Sequence, residues 1–99
     1  MTETRAEAMA GVRGLPRLAA GCGMLFPFGS PGRHAMTMRG VGFPLDMVWL
    51  DAKLCVASVA YRVPPGTSLV WGHGAYVLEL GSGQALLLSV VPGFCLVPR

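Results

Sequence analysis

Apolar and polar positions alternate with a period of two through the middle of the chain. In residues 45–50, Leu45, Met47 and Trp49 share one side of an extended segment, and Asp46, Val48 and Leu50 share the other. Asp51-Ala52-Lys53 is a tight connection, and the Val-rich residues 54–63 read as the returning strand of a hairpin that Pro64-Pro65-Gly66 stops. Residues 75–80 repeat the strand pattern before Gly81-Ser82-Gly83. Met24-Leu25-Phe26, held between glycines and Pro27, predicts a brief buried strand. Residues 29–32 are loop punctuation, and residues 34–39 suit a second strand. Residues 84–88 suit one helical turn and residues 94–97 a last strand. At the start, Thr4-Arg5-Ala6-Glu7 fits a capping box, in which Thr4 accepts from the third helical N–H and Glu7 reaches back. A short helix over residues 5–13 follows, ended by Gly11 or Gly14 before Pro16.

These elements predict a mainly β fold: a small antiparallel sandwich or partly closed barrel with a short N-terminal helix and one short C-terminal helical turn. Glycine and proline recur at the intervals of short strands, with no internal repeat, so residues 1–99 form a single domain.

Composition changes the picture in three ways. With 53% hydrophobic and 13% charged residues, the chain has the material for a core and is not of the disordered class. It is apolar enough that a partner is expected to cover part of its surface. The net charge of +3 comes from scattered arginines and one lysine, no two adjacent, which argues against a nucleic-acid face. Glu3, Arg5 and Glu7 interrupt the first residues, and the longest charge-free run, 84–98, is too short for a membrane span and contains Pro92-Gly93. A cytoplasmic protein is expected, and its three cysteines, Cys22, Cys55 and Cys95, are expected to be reduced, buried and inert.

Several segments occur in the order of a known family. They are the Thr4–Glu7 start with Gly11 and Leu18; Gly23-Met24-Leu25-Phe26; Met38-Arg39; Pro44-Leu45-Asp46-Met47 with Leu50-Asp51; Tyr76-Val77-Leu78-Glu79-Leu80 with Gly83; and Gly93. The chain therefore resembles the family catalogued as domain of unknown function 192, a resemblance that implies a fold and no agreed activity. It departs from the family at Thr37, where an aromatic is usual, and at Gly40-Val41, where a polar Asn-Thr pair is usual. Gly81 and Phe94 replace an Asn and an Asp, and residues 64–74 lack the cysteines often seen there. The family's leading strand has no counterpart ahead of Thr4, which is expected to leave a sheet edge open for another copy of the chain.

Chemistry is sparse. Asp46 and Glu79 each sit within an apolar strand, so each carboxyl must face water, find a partner or shift its pKa. The structural reading has Asp46 capping backbone donors near Pro44 and Glu79 pairing with Arg39 or another arginine. The functional reading has them converge on one pocket as ligand hooks, or as the acid and base of a small hydrolase. His34 and His73 read as lying in glycine-containing loops, at Gly32-Arg33-His34 and Gly72-His73-Gly74, without metal-ligand spacing. Ser68, His73 and Glu79 could compose a triad, but no nucleophile elbow supports it. The paired glycines lack the third glycine of a dinucleotide fingerprint, and no phosphate-loop lysine exists. Trp49 belongs to the core pattern; Trp71, in a Pro/Gly-rich stretch, suits stacking on a ligand.

The expectation is a non-catalytic binding or interaction module for a small ligand or a protein partner. Its binding residues are Met38, Arg39, Asp46, Trp71, His73 and Glu79, with no cofactor, metal, nucleic acid or membrane. The hydrolase using Asp46 and Glu79, and a degenerate copy that keeps only the fold, are the alternatives.

Overall fold

The computed structural model of the chain describes residues 23–96. Four strands, β1 (Gly23–Met36), β2 (Leu45–Leu50), β3 (Val56–Val63) and β4 (Val70–Gly81), are followed by one helical turn, α1 (Gln84–Leu87). All pair antiparallel in one sheet of order β1-β4-β2-β3. The expected hairpin is β2–β3. Its turn is set by Asp51, whose Oδ1 accepts from the Lys53 and Cys55 N–H groups at 2.9 and 3.0 Å.

The sheet does not close, because β1 and β3 lie at opposite edges. Among the described residues there is no second sheet either, so the sandwich and barrel expectation is corrected to one open sheet whose strand β2 is buried on both faces. The sequence pattern reflected that double burial: all six residues of β2 are buried. What covers the faces is irregular chain rather than strands. Met38, Val41 and Phe43, between β1 and β2, cover the Met47/Trp49 face. Ala85 of α1, Val90 and Leu96 cover the Val48/Leu50 face. The expected N-terminal helix lies outside the described residues; the C-terminal turn is present as α1.

Four further expectations change. The two short strands around residues 24–26 and 34–39 are one strand, β1, whose register against β4 slips between Pro27 and Gly32. Gly29 at φ 87° and Gly32 at φ 152° carry that excursion through backbone conformations that side chains resist. Strand β4 begins at Val70, so Trp71 and His73 sit on a strand and not in a loop. Of the last strand expected over residues 94–97, the described residues 94–96 form only an isolated bridge between Cys95 and Cys55, and Val97 lies outside the described residues. Those two cysteines, expected as reduced thiols, are joined as a disulfide across 40 residues. Their partnership depends on the tail running beside the start of β3, which local pattern does not show.

The excursion in β1 lays an aromatic stack on the first face. The His34 ring lies parallel to Phe28 at 4.2 Å between centroids, and Phe28 parallel to Trp49 at 5.8 Å. His34 Nε2–H donates to the Ser30 carbonyl at 2.9 Å. Beneath the stack, the Trp49 indole fills the place that a Cβ on Gly72 would occupy.

Candidate functional site

The register of β1 on β4 decides which side chains meet at the far end of the sheet. Arg33 faces His73 and Ala35 faces Trp71. Their alternates, His34 and Gly72, face the buried aromatic stack, so Arg33, Trp71 and His73 project together to the outer side. The Arg33 guanidinium lies over the Trp71 indole, 4.1 Å from the ring centroid. At that distance the cation is attracted by the ring's negative face. Trp71 is nonetheless 52% exposed, an unusual setting for the largest apolar side chain.

Beyond the last pair of this ladder, Met36 with Val70, the chains diverge around an open cavity of about 680 Å³. Thr37, Arg39 and Gly40 line one side, Gly66, Ser68 and Leu69 the other. The Met38 N–H to Thr67 carbonyl bond, 3.0 Å, ties the two sides together. Thr37 Oγ1 accepts from the Arg39 N–H at 3.0 Å, which fixes the turn that carries Arg39. Two hydroxyls, a guanidinium and glycine backbone line the cavity, with no acidic side chain among the lining residues.

The expected binding residues are not all brought together. Arg39, Trp71 and His73 belong to this exposed end. Met38 is fully buried in the first core and anchors the turn instead. Asp46 and Glu79 are separated by the sheet itself. Asp46 pairs with Leu80 and Met47 pairs with Glu79, so the two carboxyls lie on opposite faces. The expected pocket lined by Met38, Arg39, Asp46 and Glu79 is therefore not formed, and the acid–base pair of the hydrolase alternative cannot converge.

Asp46 is fully buried and fully employed. Its Oδ1 accepts from the Arg62 N–H and its Oδ2 from the Ala85 N–H, both at 2.9 Å. It caps backbone donors, as the structural reading held, but on β3 and α1 rather than near Pro44. The Arg62 bond explains a bulge: Tyr61 and Arg62 together oppose Asp46, and Arg62 adopts φ 51° to turn its N–H inward. The Ala85 bond supplies α1 with the acceptor that its Gly83 N-cap lacks.

Glu79 is 2% exposed between Met24 on β1 and Met47 on β2. Burial pushes its pKa from 4.5 up to about 8, so at neutral pH it is held as the uncharged acid. That state suits a core position and not an arginine partner.

Sequence reasoning missed Arg33, Thr37 and Leu69, and weighed Ser68 only as part of a triad. The alternation Arg33-His34-Ala35 was a usable signal, but its partner strand was hidden in what read as a loop. Among the described residues no three His, Cys, Asp or Glu side chains converge as a metal site. No described helix is long and apolar enough to cross a membrane.

The sequence profile of the DUF192 family, described as "Uncharacterized ACR", matches residues 1–97. The chain belongs to this family. Two solved structures are similar to it. One is a "putative transcription regulator" from Sinorhizobium meliloti 1021, with TM-score 0.82 and 28% identity over 90% of this chain and 71% of that one. The other is a protein of unknown function from Novosphingobium aromaticivorans DSM 12444, with TM-score 0.79 and 28% identity over 91% of this chain and 66% of that one. No curated protein matches the chain. Membership in DUF192 accounts for the ordered motifs and leaves the activity open.

Proposed function

We propose that this DUF192 chain is a non-catalytic binding module. It takes a small ligand that carries a carboxylate or phosphate on a flat, apolar body. The observation that carries the reading is the Arg33 guanidinium over an exposed Trp71, beside a cavity whose wall includes Arg39 and no acid. A planar ligand gains by covering Trp71, and its anionic group gains from Arg39 with Thr37 and Ser68 as hydroxyl donors. The absence of convergent acid and base on the sheet supports binding over chemistry, because Asp46 is committed to two backbone bonds and Glu79 lies on the other face.

The family's polar Asn-Thr pair is replaced at Gly40-Val41, and Gly40 lines this cavity. Replacing a polar side chain with glycine enlarges the cavity and removes a specific hydrogen-bond partner, so this copy would read charge and flatness more than fine pattern. The cytoplasmic location remains part of the proposal.

Isothermal titration with phenyl phosphate, with benzoate and with inorganic phosphate tests the reading. Phenyl phosphate should bind more tightly than inorganic phosphate, and both Trp71→Ala and Arg39→Ala should weaken it. Equal binding of the three, or binding unchanged by both substitutions, would overturn it.

A further inference from the structure

The second open site lies elsewhere, where the tail meets the β2–β3 turn. An open cavity of about 550 Å³ there is walled by Asp51, Lys53, Cys55, Gly93 and Cys95. The disulfide thus forms part of the wall of a solvent-filled groove rather than part of the core. Cys55 is 8% exposed and Cys95 more so. Asp51, whose Oδ1 accepts within its own turn, and Lys53 give the groove one charge of each sign.

What the disulfide holds is narrow. The tail is strapped to the start of β3 by three backbone bonds. Val56 N–H donates to the Phe94 carbonyl at 2.7 Å, Gly93 N–H to the Val56 carbonyl at 2.9 Å, and Leu96 N–H to the Leu54 carbonyl at 2.9 Å. The β1–β4, β4–β2 and β2–β3 ladders use none of these groups from the tail. Losing the strap would free the first residues of an edge strand and leave the central sheet paired.

We propose that Cys55–Cys95 is a site of thiol–disulfide exchange with a dithiol, and that its reduction releases residues 93–96 from β3. One thiolate of the dithiol attacks Cys95 Sγ in the groove. The Cys55–Cys95 bond breaks, its electron pair leaves on Cys55 Sγ, and that sulfur takes a proton from water. The second thiolate of the dithiol then attacks the mixed disulfide at the dithiol's own sulfur and expels Cys95, which is also protonated. Two electrons and two protons pass to the cysteine pair, and the dithiol becomes a disulfide. In a reducing compartment, paired cysteines of this kind are characteristically transient or redox-sensing. Released, Val56 presents an unpaired N–H and C=O at the sheet edge, a place for another strand to add.

The test uses the full chain with Cys22→Ala as background, so that only the pair is read. The folded protein is treated with excess dithiothreitol at neutral pH and then alkylated with iodoacetamide. Intact mass should show two carbamidomethyl groups without denaturant. Amide exchange at Val56, Gly93 and Leu96 should rise about ten-fold or more, while β2 and β4 stay protected. A Cys55→Ser/Cys95→Ser variant should show the same local pattern without reductant. Three results would each overturn the proposal: labelling only in denaturant, labelling with unchanged exchange, or loss of protection across the whole sheet in the reduced protein or the variant.

Discussion

Truncating Asp46 to alanine removes the acceptor of two buried backbone donors at once. Both bonds are charge-assisted, and hydrogen bonds to charged groups are worth about 1.5–3 kcal/mol each. The two N–H groups left behind, part-buried on Arg62 and buried on Ala85, lose their acceptor. The expected loss is therefore about 3–5 kcal/mol, a large share of the roughly 5–15 kcal/mol that holds a small domain together. Asp46→Asn keeps the shape and one acceptor oxygen but turns an NH2 group toward the other donor, and should cost about 2–3 kcal/mol. Arg62→Gly provides a control in the opposite direction. It keeps the N–H while relieving φ 51°, a conformation that costs a non-glycine residue about 1 kcal/mol. Urea unfolding read by tryptophan fluorescence measures all three. The Asp46 variants should move the midpoint at constant slope, and Arg62→Gly should leave it unchanged or raise it. Amide exchange supplies the local check, since Arg62 and Ala85 should lose protection first in Asp46→Asn. A cost below about 1 kcal/mol for Asp46→Ala, or unaltered exchange at those two amides, would refute the role given to this carboxylate.

Other outcomes follow from single contacts. Glu79 keeps its proton up to about pH 8 when folded, whereas the unfolded chain releases it near 4.5. The folded state therefore binds the extra proton across that window, and stability falls as pH rises from about 4.5 to about 8, then levels. At about 1.4 kcal/mol per unit the loss is on the order of 5 kcal/mol, and Glu79→Gln should flatten the slope in urea unfolding at pH 5, 7 and 9. Gly72→Ala places a methyl into the Trp49 ring, which Phe28 and His34 hold from above, and should cost about 1–3 kcal/mol or more, read as a lowered Tm. On the outer edge, β3 is bulged at Tyr61–Arg62 and again at Ala57, so only residues 58–60 between them are regular enough to pair with another copy. Sedimentation should show any dimer weakened by Ser58→Pro; a dimer indifferent to that change would place self-association elsewhere.

The parts of the fold legible in the sequence were those written in local period. Residues 45–50 and their return strand were readable because each alternate side chain enters a core, and Asp51 could only begin a turn. The sheet's openness was not legible, since burial on both faces looks the same whether a second sheet or irregular chain supplies the cover. Strand β1 was read as two because Gly29, Pro31 and Gly32 are turn residues, and here they carry a bulge within one strand. For the site, Trp71 stood out in a Pro/Gly-rich stretch, but its place on a strand and its companion Arg33 required the β1–β4 register. Asp46 and Glu79 were recognised as anomalous, but adjacent strands put odd and even positions on opposite faces. Only the pairing of Asp46 with Leu80 and of Met47 with Glu79 shows that the two never meet. The disulfide was unreadable for the same reason: a 40-residue separation carries no local signature.

The two tryptophans make the proposed binding face directly observable. Trp49 is 1% exposed beneath the aromatic stack, and Trp71 is 52% exposed beneath Arg33. In a nitrogen-15 NMR titration with phenyl phosphate, the Trp71 indole resonance should shift together with the amides of Thr37, Arg39 and Ser68, while the Trp49 indole stays in place. Shifts gathered instead around α1 and the Cys55–Cys95 groove, or a Trp71 indole that does not move at saturating ligand, would contradict the account.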